Sequence, residues 1–356
     1  MKVVFRVDAS LQIGIGHVMR CLTLAQVLNE NGANVEFICR KHEGSLIDKI
    51  RSSGFVAHEL KVFEETGVDN KLAHSHWLGA TQQQDADDCI DILKVKKTGL
   101  LIVDHYGIDE QWQEILKPYC EKIMVIDDLA DRKHQCDILL DQTYGRQKED
   151  YLPLTPKRCK LLLGSQYALI RPEFSKWRNY SLNRRINPKF NRILVNMGGV
   201  DTGNITGKVV KELQACALPK DIVIVIVIGK GFPYLEDIQL IVESMTYKSE
   251  IKVDVDNMAE IMADSDIAIG ASGSTTWERC CLGLPTIQLL IAKNQDTAFK
   301  LLLRDGIIKP VYTIENLSKN IYELAFEMKA FSVASSKVCD GQGSTHVKKY
   351  LNSIIK

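Results

Sequence analysis

Nothing in this sequence is long and apolar enough to cross a membrane as a helix. The most apolar run, residues 222–228, has 7 residues, against the roughly 20 that a bilayer core demands, and it reads as a buried strand. The opening segment MKVVFRVDAS is interrupted by Arg6 and Asp8. It lacks the apolar stretch of a secretory signal, so a cytoplasmic location is expected. Charge of one sign is also missing: Lys+Arg 45 balances Asp+Glu 45, which excludes a whole-protein basic field for nucleic acid. Ten cysteines are present but no CxxC, and a chain of this length has no need of a disulfide scaffold, so scattered reduced thiols are expected. No exact internal repeat and no low-complexity segment occurs. With 45% hydrophobic and 25% charged residues, extended disorder is excluded. Two nucleotide signatures are absent as well. Gly14 and Gly16 are followed by Met19 rather than a third glycine, and no GK[ST] closes a phosphate loop, so dinucleotide binding and ATP hydrolysis lose support. No metal-ligand spacing is found, and no cofactor is expected.

What is present is alternation. A strand at 3–7 leads through glycines into a helix at 17–31, whose apolar Leu22, Ala25 and Leu28 share one face and which Gly32 terminates. Strands at 35–39, 99–103, 123–126 and 138–140 alternate with helices at 44–53, 82–97 and 109–119. A polar, basic stretch at 177–191 interrupts the pattern. It then resumes with strands at 192–196, 222–228, 251–253, 267–269 and 287–289 and helices at 205–217, 258–263 and 275–282. This is the pattern of α/β domains with mostly parallel sheets, and 356 residues exceed what one core supports. The expected organisation is a first domain at 1–178, a linker at 179–191 and a second domain at 192–356, with the last helix a candidate to pack back on the first. The two Rossmann-like domains are expected to face each other across a cleft. In such sheets, ligands bind beyond the carboxyl ends of the strands.

The candidate chemistry lies in the turns. Gly14 and Gly16 permit close backbone approach ahead of His17, which opens a helix. A helix N-terminus disfavours added positive charge, and a neutral imidazole is what a general base for water requires. A histidine so placed also serves as a local cap. Asp8 lies just past the first strand, as a sugar contact, an orienting group or a turn cap. Asp104, His105 and Tyr106, and Asp127 with Asp128, follow strand ends. Acidic clusters of this kind raise a divalent cation as one option and surface ion pairs, with Arg132 and His134 nearby, as the other. In the second half, Asn196, Gly198 and Gly199 form a strand-to-glycine turn. Gly273, Ser274 and Thr275 form a small-residue turn whose amides and hydroxyls suit a diphosphate without any lysine. Glu278 in the following first helical turn is a candidate for ribose hydroxyls. Asn294 and Gln295 add polar side chains after an apolar run.

Several long motifs together resemble one family: RVDASLQIGIGHVMRCLTLA, VDHYGID, IDDLADRKH, CDILLDQ, LLLGSQYALIRPEF, NMGGVDTGN and IGASGSTTWERCCLGLP. They are similar to the pseudaminic-acid-pathway hydrolases that cleave UDP-2,4-diacetamido-2,4,6-trideoxy-β-L-altropyranose, relatives of MurG-type glycosyltransferases with the GT-B fold. The resemblance covers nearly the whole chain. It implies His17 as general base. It also implies sugar contacts from Asp8, Gly14, Gly16, Arg20, Tyr106, Asn294 and Gln295, and UDP contacts from Asn196, Gly198, Gly199, Met258, Gly273, Ser274, Thr275 and Glu278. It implies a UDP-sugar substrate with water as acceptor, inversion at the anomeric carbon, no metal, no nucleic acid and no stable membrane association. Other pathway enzymes are candidate partners, and the free sugar is destined for a nonulosonate on flagella or surface glycans. Two alternatives on the same fold are a hydrolase of a different UDP-sugar in surface polysaccharide synthesis and a UDP-sugar glycosyltransferase.

Overall fold

The computed structural model describes residues 1–63, 72–95, 97–199, 201–291 and 295–354. The chain folds as two units, one formed by Met1–Leu169 with Gly343–Lys356, the other by Ile170–Gln342.

The first unit is built on β1 (Lys2–Val7), β2 (Asn34–Arg40), β3 (Val56–Leu60), β4 (Thr98–Asp104), β5 (Cys120–Ile126), β6 (Ile138–Asp141) and β7 (Lys160–Leu163), in the sheet order β3-β2-β1-β4-β5-β6-β7. All six pairings are parallel. β1 and β4 are buried along their whole length. Their near-continuous apolar sequences follow from a sheet covered on both faces. Helices α1 (Gly16–Asn29), α2 (Ile47–Ser52), α3 (Gln82–Leu93) and α4 (Glu110–Leu116) supply the cover. Side chains alternate between faces. Val3, Phe5, Leu100 and Ile102 pack with Leu22, Leu24 and Leu28 of α1. Val4, Leu101 and Val103 pack with Cys89, Leu93, Trp112 and Leu116 of α3 and α4. Local signals start these helices. Thr81 and Gln84 form a reciprocal capping box at α3, and Asp109 accepts from Gln111 N at 2.9 Å at α4. The α3 side of the sheet also holds a buried charge cluster. Arg6 donates to Asp85 at 2.6 and 3.0 Å, and Arg40 donates to the same carboxylate at 2.7 Å, tying β1 and β2 to α3.

The second unit contains β8 (Arg192–Asn196), β9 (Val223–Ile228), β10 (Lys248–Val253), β11 (Ile267–Ala271), β12 (Thr286–Leu289) and β13 (Lys309–Val311), again all parallel, in the order β10-β9-β8-β11-β12-β13. Its helices are α5 (Pro172–Arg184), α6 (Ile205–Ala215), α7 (Leu235–Glu243), α8 (Met258–Asp264), α9 (Thr275–Cys281), α10 (Asp296–Arg304) and α11 (Leu317–Ser336). The chain then returns: α12 (Gly343–Ile354) joins the first unit, where Val347 and Leu351 enter the core beside α1.

The expected boundary at 178 and linker at 179–191 need correction. Pro172 opens a 13-residue helix that belongs wholly to the second unit. Its polar sequence has a physical reason: its arginines bind backbone carbonyls at helix ends. Buried Arg185 donates to Ser265 O, Leu282 O and Met262 O at 2.8–3.1 Å. Arg178 donates to Cys281 O, to Cys339 O at 3.0 Å and to Ser336 O at 2.8 Å. Cations at helix C-termini satisfy the last carbonyls and complement the helix dipole. Among the described residues no helix is long and apolar enough to cross a membrane, and all ten cysteines are free.

Candidate functional site

In both sheets the strand order reverses at the first strand: β2 and then β3 lie on one side of β1 and β4 on the other, and β9 and then β10 lie on one side of β8 and β11 on the other. These are the topological switch points, where loops from the carboxyl ends of the strands part to opposite faces and leave room for a ligand. The candidate residues gather there.

In the first unit, residues 10–14 form a tight turn. Ser10 Oγ accepts from Gln12 N at 3.2 Å and Ile13 N at 3.0 Å, and Gly14, at φ +77°, returns its N–H to Ser10 O at 2.8 Å. Gly16 is the first residue of α1 and His17 the second. The Nδ1 of His17 lies 2.6 Å from Oδ1 of Asp104, the last residue of β4. Arg20, one helical turn on, grips the same carboxylate with two hydrogen bonds, Nε to Oδ2 at 2.6 Å and Nη2 to Oδ1 at 2.7 Å. A further bond runs from Arg20 Nη1 to Asp128 Oδ2, which also accepts from Tyr106 Oη at 2.9 Å. Burial alone works to raise the Asp104 carboxyl, but Arg20 and His17 outweigh it and hold the group well below the usual carboxylate range. An ionised carboxylate only accepts, so the nitrogen facing it, Nδ1, is the one that carries a proton, and in the neutral ring the lone pair falls on Nε2. Around this dyad stands an aromatic wall. The His17 ring meets the Tyr106 ring edge-on at 4.7 Å, Trp77 stacks on Tyr106 at 5.7 Å and His74 lies 4.3 Å from Trp77.

Asp8 is fully buried. Its Oδ1 accepts from Arg6 at 2.6 Å and from Arg40 N at 2.7 Å, and its Oδ2 faces His105 Nε2 at 3.4 Å. It ties β1 to β2 and leaves no surface for a sugar. Asp127 and Asp128 are likewise engaged: Arg132 Nη1 lies 2.9 Å from Asp127, and Arg20 takes Asp128. Of the two options for these acidic groups, the arrangement is ion pairing, most of it buried. Among the described residues no group of three or more His, Cys, Asp or Glu is arranged to hold a metal.

In the second unit, two turns flank the switch point. Asn196 ends β8 and donates to Val227 O at 2.9 Å. Gly198 follows at φ +94°. Gly199 O comes so close to β9 that a Cβ on Gly229 would lie 2.1 Å from it. Past this turn Asp201 accepts from Ile205 N at 2.9 Å and Thr206 N at 2.7 Å, so α6 arrives already capped. The other turn follows β11. Gly273 adopts φ +136°, Ser274 is exposed and Thr275 begins α9. Glu278 is half-buried, with Arg171 at 3.6 Å. Burial raises its carboxyl above the usual range, against the pull of Arg171. Gln295 Oε1 is buried without a hydrogen-bond partner, and its Nε2 lies 3.5 Å from the position of a Cβ on Gly273. Met258 is only 6% exposed and packs as the first residue of α8. Asn294 lies outside the described residues.

Sequence reasoning left Asp104 undecided and missed Trp77 and His74, which stand in the aromatic wall. The signal for Asp104 was its place at the end of a strand; the rest carry no local signature.

A sheet pair of this topology, with glycine turns at both switch points, is a GT-B-like fold. No family profile matches the sequence. It is 30% identical over 307 residues to the UDP-2,4-diacetamido-2,4,6-trideoxy-beta-L-altropyranose hydrolase of Campylobacter jejuni subsp. jejuni serotype O:2, covering 86% of this chain and 97% of that protein. The chain belongs to the family of that hydrolase and is a UDP-sugar-processing enzyme. An uncharacterized protein of Methanocaldococcus jannaschii is 28% identical over 293 residues, 81% of this chain, and the chain spans 55% of that protein's length. Among solved structures, Acinetobacter baumannii MurG superposes with a TM-score of 0.72 at 14% identity, covering 99% of both chains. The UDP-GlcNAc 2-epimerase of Neisseria meningitidis bound to UDP-GlcNAc superposes with a TM-score of 0.64 at 12% identity, covering 99% of this chain and 100% of that one.

Proposed function

We propose that the chain hydrolyses UDP-2,4-diacetamido-2,4,6-trideoxy-β-L-altropyranose to UDP and the free deoxy-sugar, with inversion. The observation that carries this reading is the His17–Asp104 pair at the switch point of the first unit, 2.6 Å apart and braced by Arg20. Nε2 of His17 takes a proton from water as the water oxygen attacks the anomeric carbon. The bond from that carbon to the diphosphate oxygen breaks, and its electron pair leaves with UDP. The Asp104 carboxylate accepts from Nδ1–H, holds the ring and stabilises the imidazolium as it forms. Tyr106 and Trp77 border the imidazole with an apolar wall suited to the methyl groups of a 6-deoxy, N-acetylated sugar. The Gly273–Ser274–Thr275 turn holds the diphosphate, and Glu278 takes the ribose hydroxyls. Gln295, whose Oε1 lacks a partner, reaches the donor sugar. The product is the free sugar for pseudaminic acid, and the setting is the cytoplasm.

The likeness in fold to MurG and to an epimerase bound to UDP-GlcNAc favours a second reading, in which the UDP half is shared and the sugar or its acceptor differs. One assay separates them. Purified chain is incubated with the named UDP-sugar and EDTA, without acceptor, and followed by NMR. Release of UDP and free sugar, lost in His17→Phe, supports hydrolysis. Release only when an acceptor alcohol is added moves the assignment to transfer, and no release in either case moves it to another UDP-sugar.

A further inference from the structure

Beneath the turn after β11 lies a buried cation with no paired countercharge. Arg279 is 1% exposed, and its chain neighbour Glu278 lies toward Arg171 instead. Its Nη2 donates to Ala271 O at 2.7 Å and lies 3.3 Å from Thr276 Oγ1 and Gln288 Oε1, and its Nη1 lies 3.3 Å from Thr275 Oγ1. Each of these partners is neutral, and Nε has none. The chain makes room for this group: a Cβ on Gly270 would stand 2.3 Å from Nη1. An uncompensated buried charge costs several kcal/mol or more. Arg20 in the first unit is the contrast, because two carboxylates neutralise it in place.

The hydrogen-bond directions say what the cation does. A guanidinium only donates. The Gln288 atom facing it is therefore the amide oxygen, which turns Nε2 toward Ser272 Oγ at 2.8 Å. Ser272 thus accepts from the amide and Thr275 accepts from Arg279, and each hydroxyl is left with its hydrogen to give away. Two hydroxyls committed to donate, on a glycine turn above a fixed positive charge, match an acceptor-rich dianion.

We infer that Arg279 and Gln288 are positioning residues that set Ser272 and Thr275 as donors toward the diphosphate of a bound nucleoside diphosphate, with Arg279 as its permanent countercharge. This rests on the reading of a UDP site in the second unit. Two variants test it. Arg279→Met removes the cation while filling its volume with apolar atoms. Gln288→Glu gives Arg279 an internal partner, so the fold keeps its contacts while the turn loses its field.

The experiment is calorimetric titration of the full chain and both variants with uridine, UDP and inorganic pyrophosphate, with thermal melts to establish folding. The expected result is unchanged uridine affinity and a loss of UDP affinity of at least about tenfold, about 1.4 kcal/mol, in both variants. An unchanged ratio of UDP to uridine affinity in both folded variants overturns the inference. Pyrophosphate binding that disappears in Arg279→Met, in a chain that never binds uridine, keeps the phosphate subsite and removes the UDP reading. A wild-type chain that binds neither pyrophosphate nor UDP overturns both.

Discussion

Nδ1 of His17 and Oδ1 of Asp104 stand 2.6 Å apart although 87 positions separate them in the chain. The contact exists because β1 and β4 are neighbours, so the turn after one strand meets the end of the other. It decides which imidazole nitrogen is basic. Asp104→Asn replaces an obligate acceptor with a group that also donates, and the ring can then settle in the wrong tautomer. We expect turnover of the UDP-sugar to fall by about 10²–10⁴-fold, the range general-base catalysis supplies, with UDP affinity unchanged. Steady-state kinetics alongside UDP titration checks this, and a variant within about threefold of wild type, far short of that range, would remove Asp104 from the mechanism.

Arg20 holds Asp104 by two bonds and reaches Asp128 with a third. Arg20→Met leaves Asp104 buried beside His17 alone, and breaking such a pair costs about 3–5 kcal/mol. The pH dependence follows from the sign. The Asp104 carboxyl is depressed in the folded chain, so its stabilisation is present above the ordinary carboxylate value and is lost as pH falls through the folded one. In Arg20→Met the depression shrinks, so this contribution is smaller near neutrality and less is left to lose in acid. Thermal melts from about pH 3 to about pH 7, spanning the ordinary carboxylate value, should show a lower Tm near neutrality and a deficit that narrows toward the acid end. Arg20→Lys recovers only part of this, because an ammonium cannot make the paired contact.

Much of the architecture is legible in the sequence because parallel strands buried on both faces read as apolar runs. β1, β4 and β9 are found this way, and Gly32, at φ +83°, ends α1 as its position suggests. The misreading of α5 has a definite cause. Arg178 and Arg185 are spent on carbonyls of other helices, and a helix that packs through such bonds looks like solvent-exposed linker. Residue types alone mark His17 and the glycine turns, but not the fact that Asp104 meets His17. That pairing depends on strand order, which no local pattern records. Asp8 shows the reverse: its position past β1 suits a ligand contact, yet it is wholly buried, with Oδ1 held by Arg6 and the Arg40 amide. The Arg279 cluster joins residues from β11, α9 and β12 and is likewise a property of the assembled sheet.

Gly229 tests the turn after β8. A Cβ there would fall 2.1 Å from Gly199 O and 2.9 Å from Gly199 C, both backbone atoms that cannot step aside without moving the turn. Gly229→Ala should cost about 1–3 kcal/mol, the usual range for overpacking, and weaken UDP binding by about tenfold or more as the turn shifts. Gly231→Ala, two residues on, adds a Cβ that meets nothing within 4 Å and should be silent in both assays. Equal behaviour of the two variants in UDP titration would detach the Gly198–Gly199 turn from the nucleotide.

Tyr151 Oη lies 2.8 Å from Oδ2 of both Asp127 and Asp141, yet it has one hydrogen to give. One carboxyl must return a proton to it. Asp127 is held well below the usual range, burial being outweighed chiefly by Arg132 and His134, so the proton belongs to Asp141. Burial and the neighbouring Asp128 charge push Asp141 up to about 6, against the pull of Arg146. A carboxyl raised on folding stabilises the folded chain while both states are protonated and loses that contribution as pH rises from the ordinary carboxylate value to the folded one. Between about pH 4, the ordinary value, and about pH 6 the folded chain still binds a proton that the unfolded chain has released. This group therefore makes stability fall across that window, by about 2–3 kcal/mol. Asp141→Asn cannot titrate. Urea denaturation at half-unit steps from about pH 4 to about pH 7 should show this downward component in the wild type and its absence in the variant. The same slope in both would place the shared proton elsewhere in the cluster.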